Sequence, residues 1–156
     1  MIYIFGHKIP DTDTICSSIV YANYLKSKWM DVEAIRLWEL NNETKFLLEK
    51  IWVQAPVLKT SLEDGSQIIL VDHNEKSQTI DNIDNLEMVW LVDHHKIWSL
   101  STSAPVSIRI EPLCSTASVL FEIFEADGYQ IPLKDTKLMM AAIISDSLLF
   151  KSPTST

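Results

Sequence analysis

The four histidines of this chain all stand near aspartates, in three short runs. These are Gly6-His7-Lys8-Ile9-Pro10-Asp11-Thr12-Asp13-Thr14, Val71-Asp72-His73-Asn74 and Val92-Asp93-His94-His95; Ser145-Asp146-Ser147 adds one more carboxylate near the C-terminus. Carboxylates combined with neutral imidazoles suit borderline or hard divalent ions such as Mn²⁺, Mg²⁺ or Co²⁺. The runs hold more ligands than one ion needs. That surplus points to a pair of ions, which can clamp the attacking and leaving oxygens of a phosphoryl transfer. Taken singly, each run has a plainer reading: Asp11 or Asp13 as a helix cap, Asp72-His73 as a turn. His94 and His95, if on a strand, point to opposite sides, one to ligate and the other to face substrate or a supporting group. Asp146 closes an apolar stretch, where a carboxylate without a partner is costly.

The elements that must carry these groups are legible in the apolar pattern. Residues 2–5 form a short apolar run that stops at Gly6, as a buried parallel strand would. Residues 11–14 can cap a helix whose apolar stripe is Ile15, Ile19, Val20 and Leu25. A second strand is expected at 33–37 and a short helix at 42–50, opened by Asn41 or Asn42. Two more strands, 68–71 and 88–92, each run into an aspartate, and 107–110 reads as an edge strand. Helices are expected at 115–126 and 133–144, separated by Asp127-Gly128 and Pro132. Strands alternating with helices give an α/β fold with a mostly parallel sheet flanked by helices. His7, Asp11, Asp13, Asp72, Asp93 and His94 then all follow the carboxyl ends of strands, where open α/β sheets bind ligands.

A length of 156 residues fits one domain, and no repeat or low-complexity tract divides it. The formal charge of −8 disfavours nucleic acid, whose binding needs clustered Lys and Arg. For an anionic substrate the charge is an obstacle, but two divalent ions would cancel Asp11, Asp13, Asp72 and Asp146 locally. Cys16 and Cys114 lack metal or redox spacing and read as reduced buried thiols. There is no signal-like N-terminus and no apolar run long enough for a membrane. The expectation is a soluble cytoplasmic protein without nucleic-acid or membrane partners.

The run Gly-His-x-x-Pro-Asp-Thr-Asp-Thr, the Asp-His-Asn, the Asp-His-His and the Ser-Asp-Ser-Leu-Leu-Phe-Lys-Ser-Pro-Thr closely resemble the family II, manganese-dependent inorganic pyrophosphatases of the DHH phosphoesterase superfamily. The resemblance covers essentially the whole chain, 1–156, and corresponds to that family's N-terminal, metal-binding catalytic domain. It implies one metal held by His7, Asp11, Asp72 and Asp146 and a second by Asp13, Asp72, His94 and Asp146, with Asp72 and Asp146 bridging. The ions would be two Mn²⁺, with Co²⁺ or Mg²⁺ as alternatives. His95, Asp72 and Asp146 would be the catalytic groups, with His95 facing the substrate. His73 and Asp93 would orient ligands. The implied reaction is hydrolysis of pyrophosphate to two phosphates by a metal-bridging water, in a homodimer formed through this domain. Other readings are a DHH phosphoesterase for nucleotides or short oligonucleotides, and a metal-binding remnant without catalysis. Acidity and the Asp-Thr-Asp form of the first motif argue against the nucleotide reading.

Two departures from the family stand out. Its C-terminal domain, which supplies basic residues that grip pyrophosphate, is absent from these residues; Lys151 reads either as a phosphate contact or as solvated. The chain also has five Trp but only three Gly, whereas Gly averages about 7% of residues. Trp29, Trp38, Trp52 and Trp98 stand where the family usually has Gly, and Trp90 adds a possible fifth; Leu113 also replaces a Gly. Either these tryptophans pack at an interface, or UGA codons read as glycine in the source were translated as tryptophan.

Overall fold

The computed structural model describes residues 1–153, so of the connection expected at 153–156 all but Pro153 lies outside them. The strands are β1 (Ile2–Phe5), β2 (Val32–Arg36), β3 (Val57–Leu58), β4 (Gln67–Val71), β5 (Glu87–Asp93) and β6 (Ser107–Ile110). The helices are α1 (Thr12–Ser27), α2 (Asn42–Ile51), α3 (Thr116–Ala126) and α4 (Leu133–Asp146). The strands form one six-stranded sheet in the order β3-β2-β1-β4-β5-β6, and every pairing is parallel. This is the expected α/β fold. Only the two-residue strand β3 escaped the sequence pattern, being too short to show a period.

Both faces of the sheet are apolar, which is why the central strands read as unbroken hydrophobic runs rather than alternating ones. Ile4, Ile69, Val71 and Val92 turn to a core completed by Ile15, Val20, Leu48, Leu120, Phe124 and Leu138 from the four helices. Phe5, Ile35, Ile68, Leu70 and Leu91 turn to the other face. Among the described residues no α-helix covers that second face; Ile80, Ile83 and Leu86, in and around the 3₁₀ turns Lys76–Gln78 and Ile83–Asn85, close it instead. Each fully buried Ile or Phe contributes roughly 1.5–3 kcal/mol.

Side chains open three of the helices. Asp11, Asn41 and Ser115 accept from the backbone N–H of Thr14 (2.9 Å), Thr44 (2.7 Å) and Ser118 (3.2 Å). The ends of α1, α2 and α3 share one design, the Schellman motif. In α1 the Met30 N–H reaches Leu25 O at 3.1 Å and the Trp29 N–H reaches Lys26 O at 3.0 Å. In α2, Val53 reaches Leu48 O and Trp52 reaches Glu49 O; in α3, Tyr129 reaches Phe124 O and Gly128 reaches Glu125 O. The motif forces the penultimate residue left-handed, with φ of 65° at Trp29, 59° at Trp52 and 66° at Gly128.

Candidate metal centre

Three strand ends and three helix ends converge at the carboxyl edge of the sheet. Chain order moves outward from β1 to β2 and β3, then returns to β4 on β1's other side. The loops after β1 and β4 therefore part, and a crevice opens between them. His7 follows β1 and Asp72 follows β4, one on each lip. Gly6 is required there, because a Cβ on it would come within 2.4 Å of Thr14 Cγ2. Thr14 in turn donates from Oγ1 to Asp72 Oδ2 at 2.5 Å, and Thr116 Oγ1 donates to Asp72 Oδ1 at 3.0 Å. Asp72 itself is left-handed, φ 63°, with its N–H on Val92 O at 3.0 Å.

The candidate ligands fall into overlapping groups whose ligand atoms lie within 4.8 Å of one another. His7, Asp11 and Asp72 form one; Asp13, Asp72, His94 and Asp146 form another. Asp72 belongs to both, with Oδ2 3.6 Å from His7 Nε2 and Oδ1 3.4 Å from His94 Nε2. His7 Nε2 also stands 3.3 Å from Asp11 Oδ2, and His94 Nε2 3.4 Å from Asp146 Oδ2. Asp13 is fully buried at the N-terminus of α3, accepting from the N–H groups of Thr116 (2.6 Å) and Ala117 (3.1 Å) and from Ser17 Oγ (3.0 Å). These donors and the helix N-terminus hold its carboxylate in place.

The electrostatics of this cluster ask for cations. Burial and the neighbouring charges of Asp72 and Asp146 push Asp13 well above the usual carboxylate range. Burial and the Asp72 charge push Asp146 up to about 7. Burial works against the charged forms of Asp72 and His94 too, but their mutual contact outweighs it. Asp72 is held well below the carboxylate range, and His94 is raised to about 10. His7 is likewise raised, Asp11 and Asp72 outweighing its burial. The fit to metal rests on His94. Its Nδ1 meets Leu113 O at 3.0 Å, while its buried Nε2, aimed between Asp72 and Asp146, has no hydrogen-bond partner among the described residues. A histidine fixed through one nitrogen and presenting the other to carboxylates is arranged as a metal ligand.

All seven expected site residues meet in this crevice, and Asp146 joins the His94 group alone. Asp93 is buried and supports the histidines: its Oδ1 accepts from the His94 and His95 N–H groups at 2.8 and 3.1 Å and meets His95 Nδ1 at 2.8 Å. His94 and His95 do not point to opposite sides. They lie just past β5, where the strand alternation has ended, and their rings are 4.2 Å apart. His73 touches no ligand with its ring; Nδ1 meets Val71 O at 3.1 Å, and burial lowers its pKa to about 4. Beside the cluster is a cavity of about 470 Å³ lined by His7, Asp72, His73, Asn74, Gln78, His95, Lys96 and Trp98. Lys151 does not line it. Lys96 does, and sequence reasoning missed it although it directly follows His95. Cys16 and Cys114 are free and buried, as expected. No helix among the described residues is long and apolar enough to cross a membrane.

The chain is similar to known proteins along its whole length. It is 47% identical over 154 residues to a Listeria innocua protein named probable manganese-dependent inorganic pyrophosphatase, and 46% identical over 156 residues to one of the same name from Bacillus licheniformis. It covers 98–99% of itself but only 50% of each, so it spans about half the length of these curated relatives. A Methanococcus jannaschii crystal structure, described as a candidate family II inorganic pyrophosphatase, matches all of this chain and 52% of its own at a TM-score of 0.89 and 40% identity. An exopolyphosphatase-related protein from Bacteroides fragilis shares the fold, with a TM-score of 0.76 at 19% identity. The DHH family, N-terminal domain, matches residues 1–144. The chain that places His7, Asp72 and His94 around one crevice therefore belongs to the DHH family, as an N-terminal domain of it.

Proposed function

We propose that residues 1–156 are the metal-binding catalytic half of a manganese-dependent inorganic pyrophosphatase, completed by a C-terminal domain of the kind its relatives' length allows. The observation that carries this reading is the shared carboxylate of Asp72, which joins two ligand groups into one site. The first ion would be held by His7, Asp11 and Asp72, and the second by Asp13, Asp72, His94 and Asp146. Asp146, which stands with the second group alone, would bridge only by turning toward the first. The donor set of carboxylates and imidazoles suits Mn²⁺, with Co²⁺ or Mg²⁺ as alternatives. Two such ions supply charge to stabilise the attacking and leaving oxygens of a phosphoanhydride.

The chain's own residues do the rest. His95 Nδ1 is held by Asp93, which raises the imidazole's pKa and keeps a proton available for a departing phosphate. Asp13 and Asp72, buried and hydrogen-bonded, keep the ions in register. The protein works in the cytoplasm with pyrophosphate as substrate. Two copies pair along the open edge at β6, where Ile108 is exposed.

The test is metal analysis and turnover together. Two Mn²⁺ per chain are expected at saturation, with little hydrolysis of pyrophosphate by these residues alone. Adding the C-terminal half of the Listeria innocua relative, in cis or as a separate chain, should restore turnover. One ion per chain at saturation, or turnover on nucleotides or short oligonucleotides in preference to pyrophosphate, would overturn the reading.

A further inference from the structure

One buried side chain ties the histidine loop to the end of β4. Asn74 is 4% exposed. Its Nδ2 donates to Asp93 Oδ2 at 2.6 Å and to Lys96 O at 2.9 Å, and its Oδ1 accepts the Trp98 N–H at 2.5 Å. Its backbone O accepts from the Leu100 N–H at 3.1 Å. Every polar group of the side chain is thus spent on the loop after β5. Asp93, held from one side by Asn74, holds His94 and His95 from the other. We propose that Asn74 is a positioning residue: through Asp93 it sets His94 against Asp72 and Asp146 and aims the far nitrogen of His95 into the crevice. His7 and Asp11 hang on β1 and α1, and the third member of their group, Asp72, is held by Thr14 and Thr116 rather than by these contacts, so the effect is one-sided.

This inference rests on the two-ion reading, and one of its tests does not. In calorimetric titration with Mn²⁺, Asn74→Ala should weaken the ion of the His94 group by about 10–100-fold, the usual cost of losing an outer support. The ion of the His7 group should stay within about threefold, with His94→Ala and His7→Ala marking which ion is which. Equal weakening of both ions, or of neither, overturns the proposal. In the metal-free chain, nitrogen NMR of His95 should show the Nδ1 contact to Asp93 lost in Asn74→Ala and in the shape-matched Asn74→Asp. An unchanged His95 signature in both variants overturns it, whatever the metal stoichiometry.

A second observation is independent of the site. The ends of α1, α2 and α3 are the same motif, and the left-handed position is Trp29, Trp52 and Gly128 in turn. Glycine is the ordinary occupant, since a side chain there crowds the backbone. Neither tryptophan gains burial in exchange, being 97% and 86% exposed. The residue after each is apolar and packs against the core, as the motif requires: Met30, Val53 and Tyr129. UGA is a codon that some genetic codes read as tryptophan and others as glycine. We infer that Trp29 and Trp52 are glycines in the protein its source makes, their UGA codons having been read as tryptophan. The end of α4 makes the same pair of bonds, Leu149 N–H to Ile144 O and Leu148 N–H to Ser145 O, with an exposed Leu148 at the left-handed position and the backbone staying left-handed through Leu149 and Phe150.

The gene decides this directly. UGA is expected at codons 29 and 52, and UGG at either one overturns the inference. In the expressed chain, Trp29→Gly and Trp52→Gly should each raise the folding equilibrium constant by about five- to thirtyfold in urea unfolding. No gain at either position overturns it as well.

Discussion

The two ends of the sheet both force a non-glycine residue into left-handed backbone, and they do so for opposite reasons. At the carboxyl edge, besides Leu148–Phe150 after α4, the residue is Asp72, and its carboxylate is occupied on every side: Thr14 and Thr116 donate to it, and His7 and His94 face it. At the amino edge, where α1 and α2 end, the residues are Trp29 and Trp52, whose side chains stand in solvent. An unfavourable backbone persists when its surroundings over-determine it. At Asp72 the surroundings include the side chain itself; at the tryptophans they are only the backbone bonds of the helix end. The same φ therefore marks a site in one place and an ill-fitting residue in the other.

The largest effect that tests this contrast is at Asp72. Asp72→Ala and Asp72→Gly should both abolish tight Mn²⁺ binding, lowering affinity by more than about a thousandfold, since a shared ligand is lost from both groups. Of the two, Gly should be the more stable in the metal-free state by about 1 kcal/mol, because φ is 63°. Equal stabilities would mean the backbone there is not strained. A change of pH should act at this end alone. Ligands bind metal without their protons, yet the metal-free site holds one on His94 up to about 10 and one on Asp146 up to about 7. Mn²⁺ binding must expel them, so apparent affinity should rise from pH 6 to 8, by up to about tenfold per unit for each proton released. Calorimetry in buffers of different ionisation heat measures that release; affinity flat across the range would refute it. The smallest effect is the reciprocal exchange at α3. Gly128→Trp should cost about 1–2 kcal/mol in urea unfolding and leave Mn²⁺ affinity within about twofold. A costless Trp at that helix end would erase the contrast.

Much of this was legible in the residues. The apolar runs that stop at Gly6, Asp72 and Asp93 located the strand ends, and an α/β topology then brings such ends to one edge. Capping chemistry located the starts of α1 and α2. What stayed hidden was whatever depends on contact across the chain. Thr14 and Thr116 are ordinary helix-start residues until the fold sets them on Asp72. Asn74 reads as a turn residue, and Lys96 as a solvated lysine, until β4 and β5 lie side by side. The directions of His94 and His95 were misjudged because a two-residue period holds only within a strand, and β5 ends at Asp93.

The ligand set draws on residues as far apart as His7 and Asp146. During synthesis, β1, α1 and most of the sheet can leave the ribosome while the crevice still lacks the carboxylate from the end of α4. If the site binds two ions, tight capture of the second must then wait for the last turn of α4. On the two-ion reading, manganese would close the centre only on chains in which α4 has emerged and folded against the sheet.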